Sequence, residues 1–448
     1  MEIKQFIDEN LENMKRDLKE LVSFNSELSD DEKPFGSQNR KVLDKALGLM
    51  QEKGLKTTNL DYYCGYGETG VGDELIGVVA HLDIVPAGEG WSTNPFEMTE
   101  KDGYLFGRGV SDDKGAAVAS MYALKYLIDE KYDFKKRVRL LLGCNEETGS
   151  KCIKYYVEHD EPITYGFTPD GDFPGIYAEK GMIGGKLVGH NSKIISIEGG
   201  EASNVVCKKV VAKLPLDSFN EEKLKQYFAE HSIKYELVKE DVISLTVYGV
   251  AAHASTPDLG INAINHLFEG LYNANFNDSF TNFFHKNFAL TNHGELIGYE
   301  EVKDDISNTS INFGVARKID NDVVVSLDMR FPVKSNSDKC YALLEKINET
   351  ENEFVVYSKI EPLYFDINSE MIKALKKAYV DVTGDEITQI EAIGGGTYAK
   401  SINNCIAFGC EFPNSNNHIH DIDERLSIDE FKKQVELYVQ AIKNLNEI

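Results

Sequence analysis

The stretch RVRLLLGCNEETG, residues 137–149, joins an apolar run to two adjacent carboxylates. Val138 to Leu142 predict a buried β-strand, and Glu146 and Glu147 follow where that strand should end. Open α/β proteins bind their ligands at the carboxyl ends of such strands. Two carboxylates at one sheet edge repel each other unless a cation or a shared proton relieves them. The pair therefore indicates a functional site, and the other ligand-bearing segments favour metal ions.

The composition narrows the classes of partner. A chain of 448 residues with 42% hydrophobic residues is long enough for two or more domains. Its formal net charge of −26 argues against nucleic acid and anionic membrane surfaces, because both attract basic patches. No apolar stretch approaches the roughly 20 residues of a membrane span, and the N-terminus does not read as a signal peptide. We therefore expect a soluble cytoplasmic protein.

The seven cysteines form no CxxC pair, and an odd number spread over a long chain does not suggest a disulfide framework. We expect reduced thiols. Cys144 lies two residues before Glu146, but a cysteine at a strand end is usually a packing residue.

The pattern of elements predicts two domains. Strands and helices alternate over residues 1–184, including a strand at 75–80 and helices at 41–53 and 115–130. This alternation predicts an α/β domain with a mostly parallel central sheet. Residues 185–364 carry alternating strand-like stretches, such as 308–315, which suit an inserted α+β domain with antiparallel strands. Residues 365–448 resume the first pattern and should return to the first domain.

Several segments place metal ligands at or near the ends of predicted strands. They supply His81 and Asp83, Asp112 and Asp113, Glu146 and Glu147, Asp170, and His418 and His420. Imidazole and carboxylate together suit Zn²⁺, Mn²⁺ or Co²⁺, and the set contains no thiolate of the kind a structural zinc site uses.

A two-metal site needs a bridging carboxylate and terminal ligands on each metal. Asp112 could bridge, with His81 and Asp170 on one metal and Glu147 and His420 on the other. Glu146 would then remain unligated beside a bridging water, where a carboxylate can act as general base. Asp83 could hold the His81 imidazole in one tautomer. The alternative for Asp112 is an N-cap of the following helix.

Read together, these segments resemble the M20 family of metallopeptidases, and within it the bacterial dipeptidases of the PepV type. The matching motifs extend over nearly the whole chain and are HLDIVPAGEGW, GRGVSDDKG, EETG, TPDGDFP, EKG, AAHASTPDLGINA, GGGTYAK and HDIDE. The resemblance implies a two-metal peptidase domain with an inserted lid domain. It also implies that His81, Asp112, Glu147, Asp170 and His420 bind metal, that Glu146 is the general base, and that the bond between Asp112 and Asp113 is cis.

The resemblance adds three residues of the inserted domain. His253 resembles a histidine that stabilises the tetrahedral oxyanion, Asn204 a substrate-contacting asparagine, and Arg330 an arginine that binds the substrate carboxylate. The glycines 394–396, with Gly395 at their centre, would help to hold that carboxylate. Lys400 stands where the family often has arginine, so a charge is kept but a bidentate contact is lost.

The expected activity is hydrolysis of dipeptides with two divalent metal ions, zinc first and manganese or cobalt as alternatives, by a monomer. The nearest alternative is an N-acyl amino acid amidohydrolase on the same scaffold, such as an aminoacylase or a desuccinylase. A binding protein without catalysis and a two-metal phosphatase are more distant alternatives. The sequence shows no evident basic cradle for a phosphate.

Overall fold

The structure is a computed structural model that describes residues 1–300 and 308–448, and it forms two compact units. The first comprises Met1–Tyr177, Phe365–Ala392 and Gly396–Ile448. The second comprises Ala178–Tyr364 and the short segment Ile393–Gly395. The second unit thus begins at Ala178, where the sequence suggested residue 185. Ala178 lies within the mostly buried strand Ile176–Glu179, and the mostly buried strand Gly181–Gly189 follows it, so no change of burial marks this boundary.

Ten α-helices lie within the described residues: α1 Ile3–Val22, α2 Ser37–Glu52, α3 Lys114–Asp129, α4 Lys151–His159, α5 Glu221–Glu230, α6 Ala263–Asn273, α7 Ser279–Asn287, α8 Ser337–Lys346, α9 Glu370–Thr383 and α10 Ile428–Glu447. Helix α2 begins four residues before the predicted start. Its first turn is polar, and Asn39 there donates to the Phe35 carbonyl at 3.0 Å, so apolar spacing does not reveal it.

The β-strands are β1 Lys56–Leu60, β2 Cys64–Gly70, β3 Leu75–His81, β4 Thr99–Lys101, β5 Tyr104–Phe106, β6 Arg137–Gly143, β7 Tyr165–Thr168, β8 Ile176–Glu179, β9 Gly181–Gly189, β10 Ser196–Gly199, β11 Lys209–Leu214, β12 Tyr235–Lys239, β13 Ile243–Tyr248, β14 Ser310–Asn312, β15 Ala316–Ile319, β16 Asp322–Phe331, β17 Asn352–Ile360, β18 Leu363–Tyr364, β19 Glu391–Ile393, β20 Cys405–Ala407 and β21 Arg425–Ser427. The strand predicted at 308–315 is shorter in the structure. A side chain at Gly314 would meet the Ala202 carbonyl oxygen at 2.2 Å, so another segment passes close to the backbone there.

The sheet of the first unit is mixed and runs in the order β1-β2-β6-β3-β7-β20-β8. Its four central strands, β6, β3, β7 and β20, are parallel, whereas the outer pairs are antiparallel. Every residue of β3 is buried, as expected for a strand covered on both faces. Helices α3 and α10 pack on β3, and α2 packs on β1 and β2. The carboxyl ends of β6, β3 and β7 therefore lie side by side.

The second unit contains an antiparallel sheet in the order β12-β13-β11-β10-β15-β16-β9-β17, with β14 paired to β16. Strand β13 alternates buried and half-buried residues, which is the pattern of a sheet covered mainly on one face. Helix α6 packs on β11 and β13, and α7 and α8 pack on β9 and β17. The mixed α/β architecture agrees with the fold class expected from the sequence.

All seven cysteines are buried, and each is a thiol rather than half of a disulfide. Over the residues that the structure covers, no helix combines the length and the apolar character needed to cross a membrane.

Candidate active site

Three neighbouring strands bring ligand-bearing residues to one edge of the first unit's sheet. His81 is the last residue of β3, and it pairs with Gly143 at the end of β6. Glu146 and Glu147 follow β6 by three and four residues, and Asp170 follows β7 by two. Because these three strands are parallel neighbours, their carboxyl ends deliver imidazole and carboxylate groups to the same place.

Asp112 reaches this edge from the loop that precedes α3. The peptide bond between Asp112 and Asp113 is cis, as the resemblance implied. Asp113, rather than Asp112, occupies the N-cap position of α3, and its side chain makes no capping bond. Instead, Asp113 accepts a hydrogen bond from the backbone N–H of His81 at 3.0 Å. The N-cap of α3 is therefore Asp113, and the alternative that Asp112 caps this helix is wrong.

The Asp112 carboxylate lies between two imidazoles. Its Oδ1 is 2.8 Å from His81 Nε2, and its Oδ2 is 2.9 Å from His420 Nε2. His420 Nε2 is also 3.1 Å from Glu147 Oε1, and His81 Nε2 is 3.9 Å from Asp170 Oδ2. All five residues expected to bind metal therefore come together around Asp112.

Possible ligand atoms fall into two overlapping groups. Atoms of His81, Asp112 and Glu147 lie within 4.8 Å of one another, and so do atoms of His81, Glu146 and Asp170. The Glu146 carboxylate is thus close enough to serve as a ligand by distance alone. Glu147 differs from it, because Glu147 contacts the His420 imidazole directly.

Asp83 fixes the two glutamates and the first histidine. Its carboxylate accepts hydrogen bonds from the backbone N–H groups of Glu146 at 2.9 Å and Glu147 at 3.1 Å. Its backbone carbonyl, rather than its carboxylate, is the nearer partner of His81 Nδ1, at 3.0 Å against 3.6 Å. A carbonyl oxygen can only accept, so Nδ1 carries a proton, and Nε2, which faces Asp112, is the nitrogen that a metal could bind.

The electrostatics of the cluster suit cations. Burial raises the pKa of Glu146 well above its usual range, and the Asp170 carboxylate adds to this effect. Burial and repulsion by Asp112 likewise raise the pKa of Glu147, and they raise the pKa of Asp170 to about 7. Although burial opposes it, hydrogen bonding to Asp112 and Glu147 raises the pKa of His420 to about 11.

The donor set fits the two divalent ions expected from the sequence. Four carboxylates and two imidazoles converge here, so the negative charges outnumber the imidazoles that could balance them. Oxygen and nitrogen donors without thiolate are the set that Zn²⁺, Mn²⁺ and Co²⁺ accept. His418 does not join the cluster, since its imidazole contacts the Ile422 carbonyl and the Arg425 guanidinium.

The four remaining candidates lie in the second unit. Asn204 and His253 are neighbours there: Val205 forms a β-bridge with His253, and the Asn204 carbonyl accepts from the Ala254 N–H at 2.9 Å. The His253 ring contacts Ser255 Oγ through Nδ1 at 2.7 Å, and its side chain is exposed.

Arg330 is buried within the second unit. It forms a two-point ion pair with Asp328, with N–O distances of 2.8 and 3.0 Å. Its Nη1 also donates to the Gly394 carbonyl at 2.6 Å, next to Gly395. Arg330 therefore fixes the glycine segment, a contact that the sequence did not suggest.

Two buried residues beside the cluster were not among the sequence candidates. Glu424 is 1% exposed and binds Arg108 at 2.8 Å. The sequence signal for Glu424 is its position four residues after His420. Glu424 is the last residue of the HDIDE motif, but the motif carried no role for Glu424 itself.

Comparison with known proteins identifies the family of the chain. Residues 77–444 match the profile of peptidase family M20/M25/M40. The chain belongs to this family. It is 33% identical to "Putative dipeptidase YtjP" of Bacillus subtilis, over 97% of each chain. It is 31% identical to "Putative dipeptidase SH1171" of Staphylococcus haemolyticus, over 96% of each chain.

The fold is also found among solved structures of M20 peptidases. Human carnosine dipeptidase 1 aligns with a TM-score of 0.60 and 16% identity, covering 100% of this chain and 98% of that one. Membership of the M20 family makes this chain a metal-dependent peptide hydrolase.

Proposed function

We propose that the protein is a dipeptidase of the PepV type with two metal ions and a glutamate general base. The observation that carries the proposal is the convergence of His81, His420, Glu147 and Asp170 around Asp112, with Glu146 beside them. The names of the two relatives given above support the same substrate class.

The metal-binding residues divide around Asp112. His81 and Asp170 would hold one ion, Glu147 and His420 the other, and the two oxygens of Asp112 would serve both. Zinc is our first choice, with manganese or cobalt as alternatives, because the same donors accept all three. When bound, two such ions polarise a scissile carbonyl and lower the pKa of a water molecule.

We propose that Glu146 transfers the proton of the attacking water. Its carboxylate would take a proton from the attacking water and deliver it to the nitrogen of the leaving amine. One feature supports this role over a ligand role: Glu147, not Glu146, contacts His420. Asp83 holds the backbone N–H groups of both residues, which orients the pair.

Residues of the second unit would bind the dipeptide. The His253 imidazole would donate to the oxygen on which negative charge develops, and Asn204 beside it would contact the substrate. Arg330 and Gly395 would bind the terminal carboxylate. Three of the five Arg330 N–H groups bind Asp328 and Gly394, and two lie outside these contacts. We also propose that this unit is a lid, and that the protein is a cytoplasmic monomer.

The experiment that tests the proposal is a substrate panel on protein stripped of metal and reloaded with zinc, manganese or cobalt. We expect hydrolysis of dipeptides with a free amino end, little activity on longer peptides, and no activity after chelation. N-acyl amino acids distinguish the nearest alternative, because they lack the free amine. Turnover of N-acyl amino acids in preference to every dipeptide would overturn the proposed substrate class.

A further inference from the structure

Glu424 is a buried carboxylate that the proposed reaction does not use. Its Oε2 accepts from Arg108 Nη1 at 2.8 Å and from the Gly109 N–H at 3.0 Å. Its Oε1 accepts from the N–H groups of Ser111 at 3.0 Å and Asp112 at 3.2 Å. An ionised carboxylate offers about four acceptor positions, so this one is fully used.

These bonds join two segments that are more than 300 residues apart in sequence. One segment, residues 107–112, ends at the candidate bridging residue Asp112. The other, residues 420–427, begins at His420. Their register is fixed further by a hydrogen bond from the Gly107 N–H to the Glu424 carbonyl at 3.1 Å and by the pairing of β21 with β5. Glu424 is the side chain that reaches from the second segment to the backbone of Asp112 itself.

The position of Asp112 depends on this contact for a simple reason. Its carboxylate must present one oxygen to each of two imidazoles, at 2.8 and 2.9 Å. With the Asp112 N–H held by Glu424 and its side chain held by His81 and His420, both ends of the residue are defined. Partners that orient a ligand in this way typically change metal affinity 10- to 100-fold when they are removed.

We propose that Glu424 is a positioning residue that holds Asp112 and His420 in the metal-binding arrangement. The inference rests on the proposed metal site. Its effect acts through the backbone of residues 109–112, so it does not require Glu424 to touch either a metal or a substrate.

The test is the zinc affinity of the Glu424→Gln variant, measured on stripped protein by competition with a chromophoric chelator. Glutamine keeps the size of glutamate but replaces one acceptor oxygen by an NH₂ group that faces two donors. We expect zinc to bind 10- to 100-fold more weakly than to the wild type. The matched control is Asp423→Asn, because Asp423 anchors the same loop through Ser92 at 2.8 and 2.9 Å without contacting residues 109–112. We expect the control to bind zinc within about threefold of the wild type.

The outcomes separate the inference from the proposed function. Equal zinc affinity in the wild type and a folded Glu424→Gln variant would overturn the inference alone, whereas absence of zinc binding to the wild type would overturn both. A purely structural role would lower the melting temperature of the stripped variant without changing zinc affinity. If Glu424→Gln does not fold, Arg108→Met removes one of the four donors instead. We then expect three- to tenfold weaker binding, and unchanged binding would overturn the inference.

Discussion

Replacing Asp83 by asparagine should damage the active site by releasing the turn that carries both glutamates. Asp83 is 3% exposed, and its carboxylate accepts hydrogen bonds from the backbone N–H groups of Glu146 and Glu147 at 2.9 and 3.1 Å. Asparagine has nearly the same shape but only one acceptor oxygen, so its NH₂ group must face one of the two N–H donors. One charge-assisted hydrogen bond is lost, which is worth about 1.5–3 kcal/mol.

The size of the effect on kcat/KM follows if the lost hydrogen bond is one that holds the two glutamates in their reactive positions. A loss of about 1.5–3 kcal/mol corresponds to a roughly 10- to 150-fold lower kcat/KM, since about 1.4 kcal/mol is a factor of ten. The assay is kcat/KM on a dipeptide at saturating metal, together with the free energy of unfolding in urea.

The matched control is Asp278→Asn in the second unit. Asp278 is 1% exposed and also accepts two backbone N–H groups, from Lys193 at 2.7 Å and Thr281 at 3.0 Å. Both variants should lose a similar free energy of unfolding, but only Asp83→Asn should lose kcat/KM. If both variants keep kcat/KM within threefold of the wild type, Asp83 acts only in folding and the reasoning is refuted.

Three further changes test other parts of the structure. Gly115→Ala should lower the free energy of unfolding by about 1–3 kcal/mol, because the new Cβ would lie 2.1 Å from the Val110 carbonyl oxygen. Gly48→Ala, which has open space around it, should raise the free energy of unfolding by about 0.5–1 kcal/mol. Equal stability of the two variants in urea would contradict this prediction. Asp17→Asn should lower the free energy of unfolding by about 3–5 kcal/mol at pH 7, because the Lys53 ammonium, which is also buried and lies 2.6 Å from Asp17, loses its partner. Asp30→Asn, which breaks an exposed ion pair, should change it little. Burial opposes the shift, but Lys53 and Tyr122 lower the pKa of Asp17. The ion pair therefore contributes fully to stability above the unfolded-state pKa near 4, and the contribution is lost as the pH falls through the folded-state pKa. A stability difference between the wild type and Asp17→Asn that does not shrink in acid would count against this ion pair. His253→Ala should lower kcat by about 10²–10³-fold with unchanged metal content, and a kcat equal to that of the wild type would remove His253 from the proposed mechanism.

Much of the site was predictable because its residues follow apolar runs. His81, Glu146 and Asp170 stand at or just beyond the ends of buried strands, and parallel strands bring such ends to one edge. Asp112 and His420 lie in loops, so their place near the others came from the motifs that resemble the M20 family. Periodicity alone would not have placed them.

The supporting contacts were not predictable, because they depend on how distant segments meet. Glu424 binds Arg108 across 316 positions of sequence, and although both residues lie in motifs that resemble the family, neither motif indicates that they bind each other. Arg330 and its ion-pair partner Asp328 are only two positions apart in sequence. The contact of Arg330 with Gly394, in contrast, spans 64 positions. The sequence suggested that Asp83 holds the His81 imidazole but could not say through which atom, and in the structure the nearer contact is made by the backbone carbonyl.

The central claim is the division of labour between the adjacent glutamates, and the variants Glu146→Ala and Glu147→Ala test it on the same preparations. Metal content and kcat on a dipeptide are measured for both. We predict that Glu146→Ala keeps the metal content of the wild type but loses turnover by at least about 10²-fold, whereas Glu147→Ala loses metal as well. Full activity in Glu146→Ala, or a loss of metal equal to that of Glu147→Ala, would contradict the assignment of Glu146 as the general base.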